Sequence, residues 1–102
     1  MKTSKPECVR NRTISFPLGQ IVATPGALEV LGTSHQSAMG FVARHAAGDW
    51  GELSAGDVAE NESALKNGRR LLSSYTTASG QKLWVITEAD RSTTTLLLPD
   101  EY

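Results

Sequence analysis

Three segments in the last third of the chain, each rich in β-branched and aromatic residues, constrain the fold more than any other feature. They cover residues 71–77, 82–88 and 93–98. Residues typical of tight turns separate them, at Ser79-Gly80 and at Ala89-Asp90-Arg91-Ser92. This pattern predicts three antiparallel strands joined as a meander.

The turns also predict which side chains share a face of the sheet. Two-residue loops at Ser79-Gly80 and Asp90-Arg91 would pair Tyr75 with Trp84 and Trp84 with Leu97. We expect helices to cover the opposite face, which would leave this one partly open. A register differing by one residue would exchange the two faces. The partly open face would carry three side chains suited to binding: Tyr75, Trp84 and Glu88.

The segment before the first helix signal predicts a short edge strand around residues 20–24. Thr24-Pro25 then begins a short helix, because the hydroxyl can cap the first turn and proline suits the first helical position. Gly32 can end this helix in the left-handed conformation.

Two further helices are predicted by capping residues and by the spacing of apolar side chains. Ser37 can cap a helix over residues 38–46, where Phe41 and His45 would lie on one stripe. Ser54, with an acidic residue three positions later, predicts a helix over residues 55–67. Gly68 can end it.

These elements predict an α+β fold. Its sheet is a three-stranded antiparallel C-terminal meander, to which the short N-terminal strand is an optional addition, and two or three helices cover one face. Residues 1–12 hold four Lys or Arg and one Glu without apolar periodicity, so we expect a flexible basic arm there. A single α+β domain would then span residues 13–102.

Charge and composition exclude several classes of protein. A net charge of -1 gives no overall positive field to attract nucleic acid. Cys8 is the single cysteine, which fits a reducing cytoplasm, and no apolar run approaches the ~20 residues of a membrane span. The two histidines lack the spacing of metal ligands, and phosphate-binding and nucleophile motifs are absent. We therefore expect no metal, no cofactor and no membrane partner.

The first candidate site is the polar segment from Arg44 to Gly51. His45 would lie in the last turn of a helix, where the helix dipole favours its charged form, and Asp49 would be near enough to orient it. Such a pair can act as an acid or a base. The structural alternative is a buried His45, with Asp49 capping the turn and Trp50 in the core.

The second candidate site is the charged turn between the last two strands. Glu88 would lie opposite Thr93, and Arg91 at the tip could reach a phosphate or a carboxylate. Small RNA-cleaving folds use Glu, His and Arg on an antiparallel sheet. A metal-independent nuclease or toxin using His45, Glu88 and Arg91 is therefore an alternative function. The structural alternative is a solvated turn with a weak ion pair.

For a binding protein, the same regions predict a surface rather than an active site. A modest positive group beside the acidic helix, Lys66, Arg69, Arg70 and Lys82, makes nucleic acid a lesser candidate partner than protein. A second copy of the chain, paired through the edge of the last strand at residues 93–98, is another candidate. The predicted binding surface consists of Arg44, Asp49, Trp50, Tyr75, Trp84, Glu88, Asp90 and Arg91.

Five segments taken together resemble a known group of proteins. They are FVARH (41–45), GDWG (48–51), GRRLLSSY (68–75), WVITEADRS (84–92) and LLPDEY (97–102). The group consists of small bacterial proteins of plasmids, phages and integrative elements, often labelled plasmid-related. The likeness covers about residues 18–102. No established activity transfers from this group, so it assigns no catalytic role here.

The resemblance implies a setting rather than a reaction. Accessory proteins of mobile elements commonly help them survive host restriction or CRISPR immunity. Our leading hypothesis is therefore a non-enzymatic cytoplasmic interaction protein that inhibits a host defence nuclease, as an anti-CRISPR or anti-restriction protein. The acidic helix and the mixed sheet face could dock on a basic nucleic-acid channel.

Overall fold

The computed structural model describes residues 16–102, so the predicted basic arm at residues 1–12, including Cys8, lies outside the described part of the chain. The described residues form a sheet with helices packed on one of its faces. In chain order the elements are β1 (Gln20–Ala23), α1 (Pro25–Ser34), α2 (Ala38–Ala46), α3 (Ala55–Asn67), β2 (Leu71–Thr76), β3 (Lys82–Thr87), β4 (Thr93–Leu97) and a 3-10 turn (Pro99–Glu101).

The sheet has four strands in the order β1-β4-β3-β2. β2, β3 and β4 run antiparallel to their neighbours, as predicted. β1, however, pairs with β4 in parallel. The α+β class is confirmed, but a purely antiparallel meander is an incomplete description, because the N-terminal strand makes the sheet mixed.

β4 consequently lies inside the sheet. The prediction of a second copy pairing with β4 is wrong, because β1 and β3 occupy both of its edges.

The hairpin between β2 and β3 corrects the predicted register. Trp84 pairs with Leu97 as expected, but Tyr75 pairs with Leu83 and not with Trp84. The reason is the loop, in which the Thr77 amide donates to the Gln81 carbonyl at 2.8 Å. Three residues therefore connect the strands instead of two. Each side chain of β2 consequently lies on the opposite face of the sheet from the one predicted. Tyr75 lies buried beneath the helices, so its place on an exposed binding surface was wrong.

Local side chains cap the helices as the sequence indicates. Thr24 accepts from the Ala27 amide with Pro25 in the first turn, and Ser37 and Ser54 cap α2 and α3. Gly68 ends α3 in the left-handed conformation.

The predicted end of α1 at Gly32 is wrong. The helix continues to Ser34, and His35 adopts the left-handed conformation in its place. Because a glycine inside a helix costs only about 1 kcal/mol, tertiary packing can carry the helix past it.

The core lies between the helices and one face of the sheet. It consists of two clusters, and Leu18 packs against both. The larger contains Ala27, Leu31, Phe41, Val42, Tyr75, Leu83, Val85 and Leu96. The smaller contains Phe16, Trp50, Ala64 and Leu71.

The outer edge of β2 is covered by two other segments. The Ser74 amide donates to the Trp50 carbonyl at 3.1 Å, and the Glu52 amide donates to the Ser74 carbonyl at 2.7 Å. The Asn61 side chain binds both backbone groups of Leu72, at 2.6 and 3.2 Å. Backbone groups at both of these positions are therefore satisfied, and β2 offers little to another strand.

We expect Gly51→Ala to destabilise the protein more than Gly80→Ala. Both residues have positive φ, 76° and 87°, so each change carries the cost of a left-handed alanine, about 1 kcal/mol. A Cβ at Gly51 would also overlap the Ser74 carbonyl oxygen, whereas the space beside Gly80 is open. This overlap should add about 2 kcal/mol, measurable by urea unfolding. Equal losses for the two variants would contradict the close approach at Gly51.

Candidate functional site

His45 is the most deeply buried ionisable side chain of the candidate site, and it has no exposed surface. It projects from the last turn of α2 towards the sheet. Its ring nitrogens meet two hydroxyls: Nδ1 is 2.6 Å from Ser73 Oγ and Nε2 is 2.9 Å from Thr87 Oγ1. The rings of Phe16 and Trp50 pack edge-on against it, with centroids 5.3 and 5.7 Å away.

The donor and the acceptor in the hydrogen bonds around His45 can be assigned, starting from the bond between Thr94 and Leu18. Thr94 donates its hydroxyl to the Leu18 carbonyl at 2.7 Å, so in its 2.8 Å contact with Thr87 it must accept. Thr87 has then used its only proton. It can only accept from His45.

The ring is therefore protonated on Nε2. Because burial keeps the ring neutral, Nδ1 carries no proton and accepts from Ser73. We call this series Ser73–His45–Thr87–Thr94–Leu18 the buried relay of hydrogen bonds.

His45 is neutral near pH 7. Burial, assisted by the positive charge of Arg91, lowers its pKa to about 4. This outcome differs from the predicted charged ring at a helix end, because loss of hydration outweighs the helix dipole here. Asp49 is not its orienting partner, since two sheet hydroxyls take that role.

Arg44, Asp49 and Tyr75 form a second cluster at the surface end of α2. Arg44 Nε donates to Asp49 Oδ2 at 2.8 Å, and its guanidinium lies 4.5 Å from the centre of the Tyr75 ring. The Tyr75 hydroxyl donates to the Asp49 backbone carbonyl at 2.6 Å.

The bond to Arg44 lowers the pKa of Asp49, while burial raises the pKa of Tyr75 to about 12. The carboxylate thus stays charged and the phenol stays neutral near pH 7.

Trp50 packs in the core and is not part of an exposed surface. It is buried, and its indole N–H donates to Glu62 Oε2 on α3 at 3.0 Å. The structural alternative is therefore the correct interpretation of this residue. Its inclusion in the predicted binding surface was wrong.

The charged side chains Asp90 and Arg91 in the turn between β3 and β4 form hydrogen bonds within the protein. Arg91 donates to the backbone carbonyls of Arg69 at 2.7 Å and of Ala64 at 3.3 Å, which joins the turn to the C-terminal end of α3. A cation suits that end of a helix. Asp90 accepts from the amide and hydroxyl of Ser92, which lowers its pKa. Glu88, Ala89, Asp90 and Ser92 are exposed in this turn, whereas Arg91 is half-buried.

Trp84 remains on the open face of the sheet, half-buried, as predicted. Tyr102 packs edge-on against it with ring centroids 5.8 Å apart, and the Arg70 guanidinium lies 5.4 Å from the centre of the Tyr102 ring. The chain terminus therefore covers part of the surface on which Trp84 was expected to bind a partner. Nothing in the local sequence pattern indicated this contact.

An apolar groove that was not predicted from the sequence lies beside α2. We call it the α2 groove. Its volume is about 440 Å³, and Arg44 and Asp49 stand at its rim, each about half exposed. The lining residues are Leu18, Met39, Val42, Ala43, Ala46 and Ala47. Four of them share a helical stripe at positions 39, 42, 43 and 46, and this spacing was a usable signal.

Two of the four members of the positive group proposed to contact nucleic acid lie beside carboxylates. Lys82 binds Glu52 at 2.6 Å, and Arg69 lies 3.8 Å from Glu60. No group of three or more His, Cys, Asp or Glu within residues 16–102 is placed to hold a metal ion. Among the helices of the same range, none is long and apolar enough to cross a membrane.

Comparison with known proteins gives no match. No family model fits the sequence, and no curated protein and no solved structure is similar to the chain.

We expect Thr87→Val to lower the free energy of unfolding by about 2 kcal/mol, because the Nε2–H of His45 loses its acceptor in a buried site. Thr95→Val is the matched control. Thr95 is half-buried on the other face of the sheet, so we expect a change within about 0.5 kcal/mol. Urea unfolding of both variants measures the difference. Equal stabilities would show that the relay contributes little.

The pKa of His45 also predicts how stability depends on pH. The unfolded chain protonates this ring near pH 6.5 and the folded protein only near pH 4. Between these values the unfolded state binds more protons, so stability falls as the pH falls. The loss from His45 should reach about 3 kcal/mol at the acid end.

His45→Gln removes this titration and keeps polar atoms in the site. Its unfolding free energy, measured across the same pH range, should fall less steeply than that of the natural protein. Parallel pH profiles would contradict a neutral buried His45.

Proposed function

We propose that this protein functions by binding another protein at the α2 groove. The observation that carries the proposal is the contrast between the two kinds of candidate residue. His45 and Arg91, proposed for catalysis, are bound to other parts of the fold. Arg44 and Asp49, proposed for binding, stand half exposed at the rim of an apolar groove. An apolar centre with a polar rim is the usual anatomy of a protein interface.

The rim of the α2 groove is held in place before any partner arrives. Arg44 is fixed by Asp49 and by the face of the buried Tyr75 ring. Less side-chain entropy is then lost on binding. Met39, by contrast, is 54% exposed. The unbranched side chain of a methionine can adapt its shape to a partner's side chain.

The partner we propose presents apolar side chains within a basic surface. The apolar side chains would enter the groove. The basic surroundings would complement the exposed carboxylates of Asp57 and Glu62 on α3, which form no ion pair within residues 16–102. Glu52 and Glu60 are paired with Lys82 and Arg69.

A nuclease of host defence has such a basic surface in its nucleic-acid channel. The resemblance to plasmid-related proteins of mobile elements makes it the partner class to test first, in the cytoplasm.

The geometry gives no support to the alternative of an RNA-cleaving enzyme. That function needs His45, Glu88 and Arg91 to meet at a surface that RNA can reach. His45 has no exposed surface, and Phe16 lies between it and the Arg91 guanidinium, which is 5.7 Å from the centre of the Phe16 ring.

The test compares two exposed apolar residues on neighbouring helices. Met39→Glu places a charge in the α2 groove, whereas Leu28→Glu places the same charge on α1, where Leu28 is 58% exposed. We expect the natural protein and Leu28→Glu to bind a purified defence nuclease and to protect phage or plasmid DNA from it. Met39→Glu should bind at least about tenfold more weakly.

Thermal unfolding provides the control for folding, and both variants should unfold near the temperature of the natural protein. The proposal is wrong if no CRISPR effector or restriction enzyme is bound or inhibited. Binding that the two variants weaken equally would place the interface elsewhere.

A further inference from the structure

β1 exposes a row of backbone groups along the outer edge of the sheet. The Gln20 amide donates to the Ser92 carbonyl at 2.9 Å, and the Thr24 amide donates to the Leu96 carbonyl at 3.0 Å. Successive residues of a strand point their backbone groups in opposite directions. The N–H and C=O groups of Ile21 and Ala23 therefore point away from β4. Within residues 16–102 no hydrogen-bond partner lies on that side.

This edge has few of the features that prevent strands from pairing. No residue from Gln20 to Thr24 is charged, and the strand contains no proline. Ile21 and Val22 are 36% and 38% exposed. The opposite edge, at β2, is by contrast covered at both Leu72 and Ser74. The exposure of β1 is thus a particular property of this edge and not a general property of the sheet.

We propose that β1 pairs antiparallel with β1 of a second copy of this chain. In the register that satisfies the outward groups, Ile21 lies opposite Ala23 of the second copy, and the reverse pair forms by symmetry. These two pairs exchange four backbone hydrogen bonds. The two-fold axis then passes beside Val22, which faces its own equivalent as a non-hydrogen-bonded pair. Two four-stranded sheets would join into one of eight strands.

The sequence of β1 is compatible with antiparallel pairing to the β1 strand of a second copy. Gln20 lies opposite Thr24 of the second copy, so no like charges meet at any position of the pairing. The two Val22 side chains contact each other on one face of the sheet, and branched aliphatic pairs suit this position. An edge that is self-complementary about a two-fold axis is the arrangement that an isologous dimer needs.

Four hydrogen bonds make a small interface, so we expect a reversible dimer that forms at raised protein concentration. This pairing uses the sheet edge and leaves the α2 groove free. It therefore stands or fails separately from the proposed function.

The first experiment traps the dimer covalently. Cα atoms of a non-hydrogen-bonded antiparallel pair lie about 4.5 Å apart, within the range that a disulfide spans. Val22→Cys, in a Cys8→Ser background, should therefore form a disulfide-linked dimer under mild oxidation with glutathione. Leu28→Cys in the same background is the control and should remain a monomer. Equal cross-linking of the two variants, or none by Val22→Cys, overturns the proposal.

The second experiment measures the reversible equilibrium by analytical ultracentrifugation across a range of concentrations. The natural protein should associate into dimers. Val22→Lys places two like charges across the axis and should raise the dissociation constant about tenfold, whereas Val22→Thr should change it little. Circular dichroism should show that all three proteins are folded. A natural protein that stays monomeric at the highest concentration, or a dimer that Val22→Lys does not weaken, overturns the proposal.

Discussion

The buried relay of hydrogen bonds is the constraint on which the rest of the structure depends. Its members come from β2, α2, β3, β4 and the segment before β1, so one network connects five parts of the chain. Each hydroxyl has one proton to give, and the Leu18 carbonyl can only accept. The direction is therefore fixed throughout. Displacing any one element would leave a polar atom unpaired in the core.

This anchoring separates the two sides of α2. On the inner side, His45 and Phe41 are held against the sheet, which leaves the imidazole neutral and without access to a substrate. On the other side, Met39 and Arg44 face the groove. A helix fixed so firmly from within presents its outer residues in a defined arrangement. The same interaction that removes the catalytic interpretation of His45 thus favours a preorganised binding surface.

Features decided by a few adjacent residues could be predicted from the sequence. The caps at Ser37, Ser54 and Gly68 are confirmed, because each depends on neighbours within about one helical turn. Tyr75 was assigned to the wrong face of the sheet, because one additional loop residue shifts the register and moves every side chain of the strand to the other face. The partners of His45 lie 28 and 42 residues away along the chain, and no spacing in the sequence reveals them. The candidate site was therefore predicted as a region but not as a geometry.

The parallel pairing of β1 with β4 accompanies the last hydrogen bond of the relay and places β1 at the edge of the sheet. The Thr94 hydroxyl reaches the Leu18 carbonyl at 2.7 Å because the chain enters β1 alongside the start of β4. Without that strand, the relay would lack its final acceptor and β4 would form an apolar edge. Placing β1 there satisfies both requirements, but it leaves the backbone groups of Ile21 and Ala23 without a partner among residues 16–102. The segment that supplies the last acceptor of the relay thus leads directly into the strand at the outer edge of the sheet.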